Sequence, residues 1–172
     1  MRLTSQGTLD SSFGLGGIVT TNFLGYGGSY WGLAVDASNR VVAVGIAKAG
    51  SSYTDGTCMA IARYNTDGTL DGTFNGTGKL TEPVSSLGRA AAIQLNGAIL
   101  VVGDTDYATI LRFNPDGTLD SSFGNGGFVK TDINGNIAVL GDLAQQSDNK
   151  FIVGGTCIIS NRGRFAVGRY YE

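Results

Sequence analysis

The sequence predicts an all-β fold, a β-propeller of about three four-stranded blades in one repeat domain spanning 1–172, and three observations carry that prediction. The first is a segment that recurs from Arg2 to Phe13 (RLTSQGTLDSSF), from Arg63 to Phe74 (RYNTDGTLDGTF) and from Arg112 to Phe123 (RFNPDGTLDSSF). A fourth copy opens at Arg169-Tyr170, so successive copies start 61, 49 and 57 residues apart. The second is another segment in step with it, at Leu33–Gly45, Ala91–Gly103 and Leu143–Gly155. Two motifs holding one phase at a period near 50 mark stacked supersecondary units such as propeller blades. The third is composition: 28 Gly, and 12 Asp against two Glu. Gly and Asp belong to tight turns and Glu to helix faces, and no segment sustains a helical period.

Each period divides into short strands. The first holds 30–36, 40–47, 58–64 and 78–82, the second 87–95, 98–104, 107–113 and 127–132, and the third 137–145, 150–158 and 164–170. The runs Val41–Val44, Ile99–Val102 and Phe151–Val153 are continuously apolar, as a strand covered on both faces requires. Segments 31–36 and 89–93 are rich in Ala and Gly, which suits an innermost strand crowded near an axis. Asn96-Gly97 reads as a two-residue hairpin turn between the first two strands of its period. Asp-Gly at 67–68 and 116–117 marks the turn after a third strand. In the Thr-Leu-Asp-x-x-Phe that follows, Asp10, Asp71 and Asp120 cap a short helical turn by accepting backbone N–H bonds. Phe13, Phe74 and Phe123 fold back as apolar anchors.

Strand accounting then sets an expectation about assembly. Residues 17–23 correspond to a fourth, outer strand with no preceding three, and 137–170 supply three strands with no fourth. Propellers close with about four to eight blades. The expected arrangement is self-association, a homodimer closing a six-bladed ring in which each N-terminal strand completes the other chain's last blade. The alternative is that the remainder of a longer propeller supplies those strands.

The pattern RFNPDGTLDSSFGNGG at 112–127, together with Leu143–Gly155, resembles the delta-sixty repeat, a bacterial propeller-like family, over nearly the whole chain. The first copy departs from the pattern, with Thr4 in place of Asn and Gln6 in place of Asp. The resemblance implies a repeat scaffold in secreted or surface-associated proteins, hence an extracellular or cell-surface location. It brings no activity and no catalytic residues.

Chemistry is thinly represented. Net charge is −2, with 12 Lys and Arg scattered singly, which disfavours nucleic-acid binding. No apolar stretch approaches the ~20 residues of a membrane span. The segment Met1–Ser5 lacks the apolar core of a signal peptide, so export would need a signal removed or belonging to a longer parent. There is no histidine, the commonest general base and transition-metal ligand. Asn65, Asp67 and Asp71, like Asn114, Asp116 and Asp120, space oxygen atoms as a calcium loop does. The twelfth position, where such a loop carries a bidentate acid, is Gly76 or Asn125, so these residues read as turns and caps. The once-per-period Arg2, Arg63, Arg112 and Arg169 are expected to pair with the Asp of their own repeat rather than to bind anions. The Gly-rich 14–17 and 124–127 precede strands, not the helix N-terminus of a phosphate cradle. Cys58 and Cys157 have no zinc-site spacing and stand either as free thiols or as an interchain disulfide across the blade three–blade one junction.

No cofactor and no catalytic residue is expected, and the chain is read as a non-enzyme. Two functions remain: a non-catalytic scaffold for protein or surface contacts, and a lectin-like carbohydrate or small-ligand binder. Contact residues for either are Tyr26, Tyr30, Trp31 and Tyr53. Only the first period carries Trp at its position; Arg89 and Asn136 or Ile137 stand near the equivalent places, which favours the scaffold.

Overall fold

A computed structural model describes residues 1–23, 25, 27–48, 50, 56–82, 87–104, 107–132, 138–148 and 150–171, and these form eleven strands. They are β1 (Gly28–Val35), β2 (Val41–Lys48), β3 (Thr57–Tyr64), β4 (Lys79–Glu82), β5 (Leu87–Ile93), β6 (Ile99–Asp104), β7 (Ala108–Phe113), β8 (Phe128–Thr131), β9 (Ala138–Gln145), β10 (Phe151–Ile159) and β11 (Arg162–Tyr170). No helix forms among the described residues. Three antiparallel sheets result, with orders β1-β2-β3-β4, β5-β6-β7-β8 and β9-β10-β11. These are blades one, two and three of a β-propeller, the third with three strands among the described residues.

The continuous apolar runs of the second strands do cover both faces. Ile99 and Val101 of β6 meet Val42, Val44, Met59, Ile61 and Phe74 of blade one. The alternate residues Leu100 and Val102 meet Leu140, Leu143, Phe151 and Val153 of blade three. Because strand side chains alternate, one run feeds two cores. The cores therefore lie between blades rather than within them.

The first strands β1, β5 and β9 pack side by side in that order. The approach is close: a Cβ built at Gly32 would stand 2.6 Å from the Ala90 Cα and 2.7 Å from the Arg89 carbonyl oxygen. This is the crowding that the Ala and Gly of 31–36 and 89–93 accommodate. Each of these strands carries a one-residue bulge against its neighbour, between Tyr30 and Gly32, between Gly88 and Ala90, and opposite Gly154/Gly155. The extra residues are Trp31, Arg89 and Gly141. The counterpart of Trp31 in the third period is thus Gly141, not Asn136 or Ile137, which lie outside the described residues.

Two local expectations change. Asn96-Gly97 belongs to a three-residue loop, not a two-residue one: Gly97 N–H bonds the Gln94 carbonyl at 2.8 Å, and Gln94 N–H bonds the Ala98 carbonyl at 2.8 Å. Gly97 has φ +85°, so a type I turn is followed by a left-handed residue, the common three-residue hairpin. The loops at 36–40, 65–69 and 114–118 close with the same pair of bonds. Residues 17–23 form no strand; their only ladder contact is a bridge from Leu15 to Ile18. A fourth strand hydrogen-bonds to the third strand of its own blade, and here that partner is not supplied.

Candidate functional site

The repeated turn is built alike in its three copies. Arg2, Arg63 and Arg112 donate Nε–H to Oδ2 of Asp10, Asp71 and Asp120 at 2.8, 2.7 and 2.7 Å. The other oxygen, Oδ1, accepts the backbone N–H and the hydroxyl of Ser12, Thr73 or Ser122, with N–H distances of 3.0 Å. The element is a hydrogen-bonded turn rather than a helical one, with Phe74 N–H on the Asp71 carbonyl and Gly78 N–H on the Phe74 carbonyl. Each guanidinium lies over the Phe of its own turn, 4.9, 4.9 and 4.6 Å from the ring centroid, a cation–π geometry. Phe13, Phe74 and Phe123 are all buried. These carboxylates, whose spacing is that of a calcium loop, are satisfied within the protein as turn and cap acceptors. Asp67 and Asp116 likewise accept from the amides and hydroxyls of Thr69 and Thr118.

Two contacts of this turn escaped the sequence reading. The Arg reaches beyond its own repeat: Arg2 Nη1 donates to the Thr66 carbonyl and Arg63 Nη1 to the Pro115 carbonyl, the same position in the next blade. Alongside, Gly14 N–H bonds the Asp67 carbonyl and Asn75 N–H the Asp116 carbonyl, both at 2.7 Å. The motif is therefore a clasp between successive blades. The second is Arg40, which pairs with Asp36 at 2.7 Å and reaches Asp71 at 2.9 Å. Ala98 stands in its place in the second period and Lys150, paired with Asp148, in the third, so repetition gave no signal for the contact with Asp71. Burial would push the Asp71 carboxyl up, but the Thr73 hydroxyl and amide and the Arg63 guanidinium outweigh it and hold it at about 2.

Of the aromatic contact residues, Tyr26 and Tyr53 lie outside the described residues. Tyr30 is half-engaged: its hydroxyl meets that of Tyr64 at 2.9 Å, which in turn meets Thr21 Oγ1 at 2.7 Å, and Phe23 lies edge-on to its ring. Burial and the Tyr64 hydroxyl push the Tyr30 phenol well above its usual range. Trp31 is partly exposed, with the Arg89 guanidinium 5.1 Å over its ring. One face of that indole is already occupied, which leaves less platform for a sugar ring. Cys58 and Cys157 are free thiols. Cys157 is buried in the core between blades two and three, so its sulfur faces away from the blade three–blade one junction that an interchain disulfide requires.

A concavity lies on the free face of blade one. It is a cleft of about 660 Å³ between the N-terminal segment and the sheet, walled by Val19, Leu33, Val35, Val41, Ala43 and Tyr64. At the opposite end of the molecule the free face of blade three presents Phe165 and Val167, 86% and 65% exposed. The residues at their positions in the other blades, Met59 and Ile61 or Ala108 and Ile110, are at most 1% exposed.

Comparison with known proteins agrees with this architecture. Residues 37–74 and 94–123 match the family model described as a domain of unknown function (DUF5122) beta-propeller. Each matched stretch runs from the turn before a second strand to the Phe of the clasp, so the chain is similar to a β-propeller repeat family. A crystal structure of a protein of unknown function from Bacteroides caccae is similar over 84% of this chain, at 15% identity and a TM-score of 0.45. The similar region spans 46% of the length of that protein's chain. No curated protein matches.

Proposed function

We propose that the protein is a non-catalytic propeller scaffold that works by macromolecular contact, built from repeats of the delta-sixty type and acting outside the cell or at its surface. One observation carries this reading: both ends of the blade stack expose apolar side chains whose repeat counterparts are core residues. Leu33 and Val35 are 68% and 61% exposed, whereas Ala91 and Ile93, at the same positions, pack against the core between blades one and two. Contiguous exposed apolar surface on a soluble protein marks an interaction site. The repeated acidic groups serve the clasp, so they leave this reading in place rather than suggesting an enzyme.

The test pairs two surface changes with two binding assays. Leu33→Lys and Phe165→Lys are expected to abolish macromolecular association, read by sedimentation, with an unchanged β-sheet circular dichroism spectrum. A glycan-array signal that survives both changes and disappears with Trp31→Ala overturns the scaffold and establishes the lectin-like alternative.

A further inference from the structure

Resting on the scaffold reading, we infer that the cleft on blade one is a socket for blade three of a second copy of this chain, and that the two copies meet in one defined strand register. The N-terminal segment already occupies the place of a preceding blade's clasp and fourth strand. Gly14 N–H on the Asp67 carbonyl repeats Asn75 N–H on the Asp116 carbonyl. Thr21 on the Tyr64 hydroxyl at 2.7 Å repeats Thr131 on the Tyr170 hydroxyl at 2.6 Å, the contact between blades two and three. Residues 18–23 are thus positioned as a fourth strand before any third strand pairs with them. The cleft is where apolar side chains from the facing strands of that preceding blade would enter. Blade three has those three strands, and its free face carries Ile152, Phe165 and Val167 at the positions where Val42, Met59 and Ile61 enter the core between blades one and two. Socket and plug are therefore the two halves of an interface the chain already makes twice.

The register follows from the internal sheets. Met59, Ala60, Ile61 and Ala62 pair with Glu82, Thr81, Leu80 and Lys79, and Ala108 to Leu111 pair with Thr131 back to Phe128. Counting from the clasp Arg and Phe, the junction pairs Phe165 with Thr21, Ala166 with Thr20, Val167 with Val19 and Gly168 with Ile18 of the other copy. The same register places acceptors against the second clasp. Arg112 Nη1 and Gly124 N–H have no partner among the described residues, and the carbonyls of Ser5 and Gln6 of the second copy fall at the positions of Pro115 and Asp116.

Arg169–Tyr171 and Arg2–Thr4 hold the same repeat position, so at the junction one stretch must yield. Tyr170 stacks on Phe151 at 5.4 Å and 8° and bonds Thr131, whereas Met1 and Leu3 are exposed. Arg2 itself bonds Asp10, Ser12 and the Thr66 carbonyl, bonds that Arg169 can re-form, whereas Leu3 offers no substitute for the Tyr170 stack, so the start of the incoming chain yields. It is displaced, and Arg169 takes the place of Arg2 on the other copy's Asp10 and Ser12. Two copies give six blades and two equivalent junctions, a closed two-fold ring.

Sedimentation of the purified full chain at micromolar concentration tests this. The expected mass is twice that of one chain. Val167→Lys, on a side chain exposed in the single copy, is expected to weaken association by roughly 100-fold with unchanged circular dichroism. Deleting residues 1–4 is expected to leave the dimer intact, and deleting 1–23 to destroy it. Mixing Thr20→Cys with Ala166→Cys chains is expected to give an oxidised cross-linked dimer that neither variant forms alone. A monomeric full chain overturns the inference, the socket then belonging to further blades of a longer chain, and leaves the scaffold reading standing. A dimer that ignores Val167→Lys, or that deletion of residues 1–4 abolishes, overturns the proposed register.

Discussion

The clasp at 63–74 and the clasp at 112–123 share their Arg, Asp and Phe, and their surroundings differ. Arg63 and Asp71 are 4% and 6% exposed, Arg112 and Asp120 both 16%. Blade two lies over the first clasp, giving Arg63 its carbonyl and setting Gly117 against the Phe74 ring. Arg40 adds a second cation to Asp71 from within its own blade. No described residue lies over the second clasp in the same way. One local sequence therefore yields a buried charge network in one place and a half-open one in the other. A clasp gains its full worth only from the blade that follows.

The largest expected effect that separates the two is Asp71→Ala. It leaves the buried Arg63 guanidinium without its counter-charge and should cost about 3–5 kcal/mol in a denaturant titration. Equal losses for Asp71→Ala and Asp120→Ala would break the comparison. Next is the covering turn. Gly117→Ala forces a side chain onto φ +90° and a Cβ to 2.8 Å from the Phe74 ring, whereas Gly7→Ala at φ +79° meets nothing within 4 Å. The first should destabilise by about 2–3 kcal/mol and the second by about 1 kcal/mol. Their difference, measured by thermal melting, isolates the contact between blades.

The pH dependence sharpens the same point. Asp71 is held below its ordinary range, so its contribution is fully present above the unfolded value of about 4 and is lost as pH falls through the folded value of about 2. An acid titration of stability should therefore lose about 1–2 kcal/mol between those limits, and Asp71→Asn should flatten that part of the curve. A slope unchanged in the variant would place the acid sensitivity elsewhere. The smallest effect is Asp120→Ala, about 1 kcal/mol from the lost cap. In a closed two-copy ring a second chain covers this clasp, and the cost should rise toward that of Asp71→Ala. Measuring it above and below the association midpoint distinguishes the two situations.

The repeated motifs made the blades legible in advance. All eleven strands fall within two residues of where periodicity and turn residues put them, because a period-2 pattern, Gly and Asp act over a few residues. The Arg–Asp pairing and the Asp caps were legible for the same reason, since partners eight residues apart recur with the motif. Arg40 was not, because its place holds Ala98 in the second period and Lys150 in the third, and its reach to Asp71 of the clasp does not recur with the motif.

The sequence by itself determined the strands, the turns between them and the internal bonds of each clasp, all set by steric and hydrogen-bonding preferences of neighbouring residues. Only the tertiary structure decided that the third arm of the Arg crosses to the next blade, that Trp31 and Arg89 meet at successive bulges, and that residues 18–23 lie in a fourth-strand position without being a strand. Each of these depends on which blade face meets which. That is a matter of shape between elements tens of residues apart, and a local pattern carries no term for it.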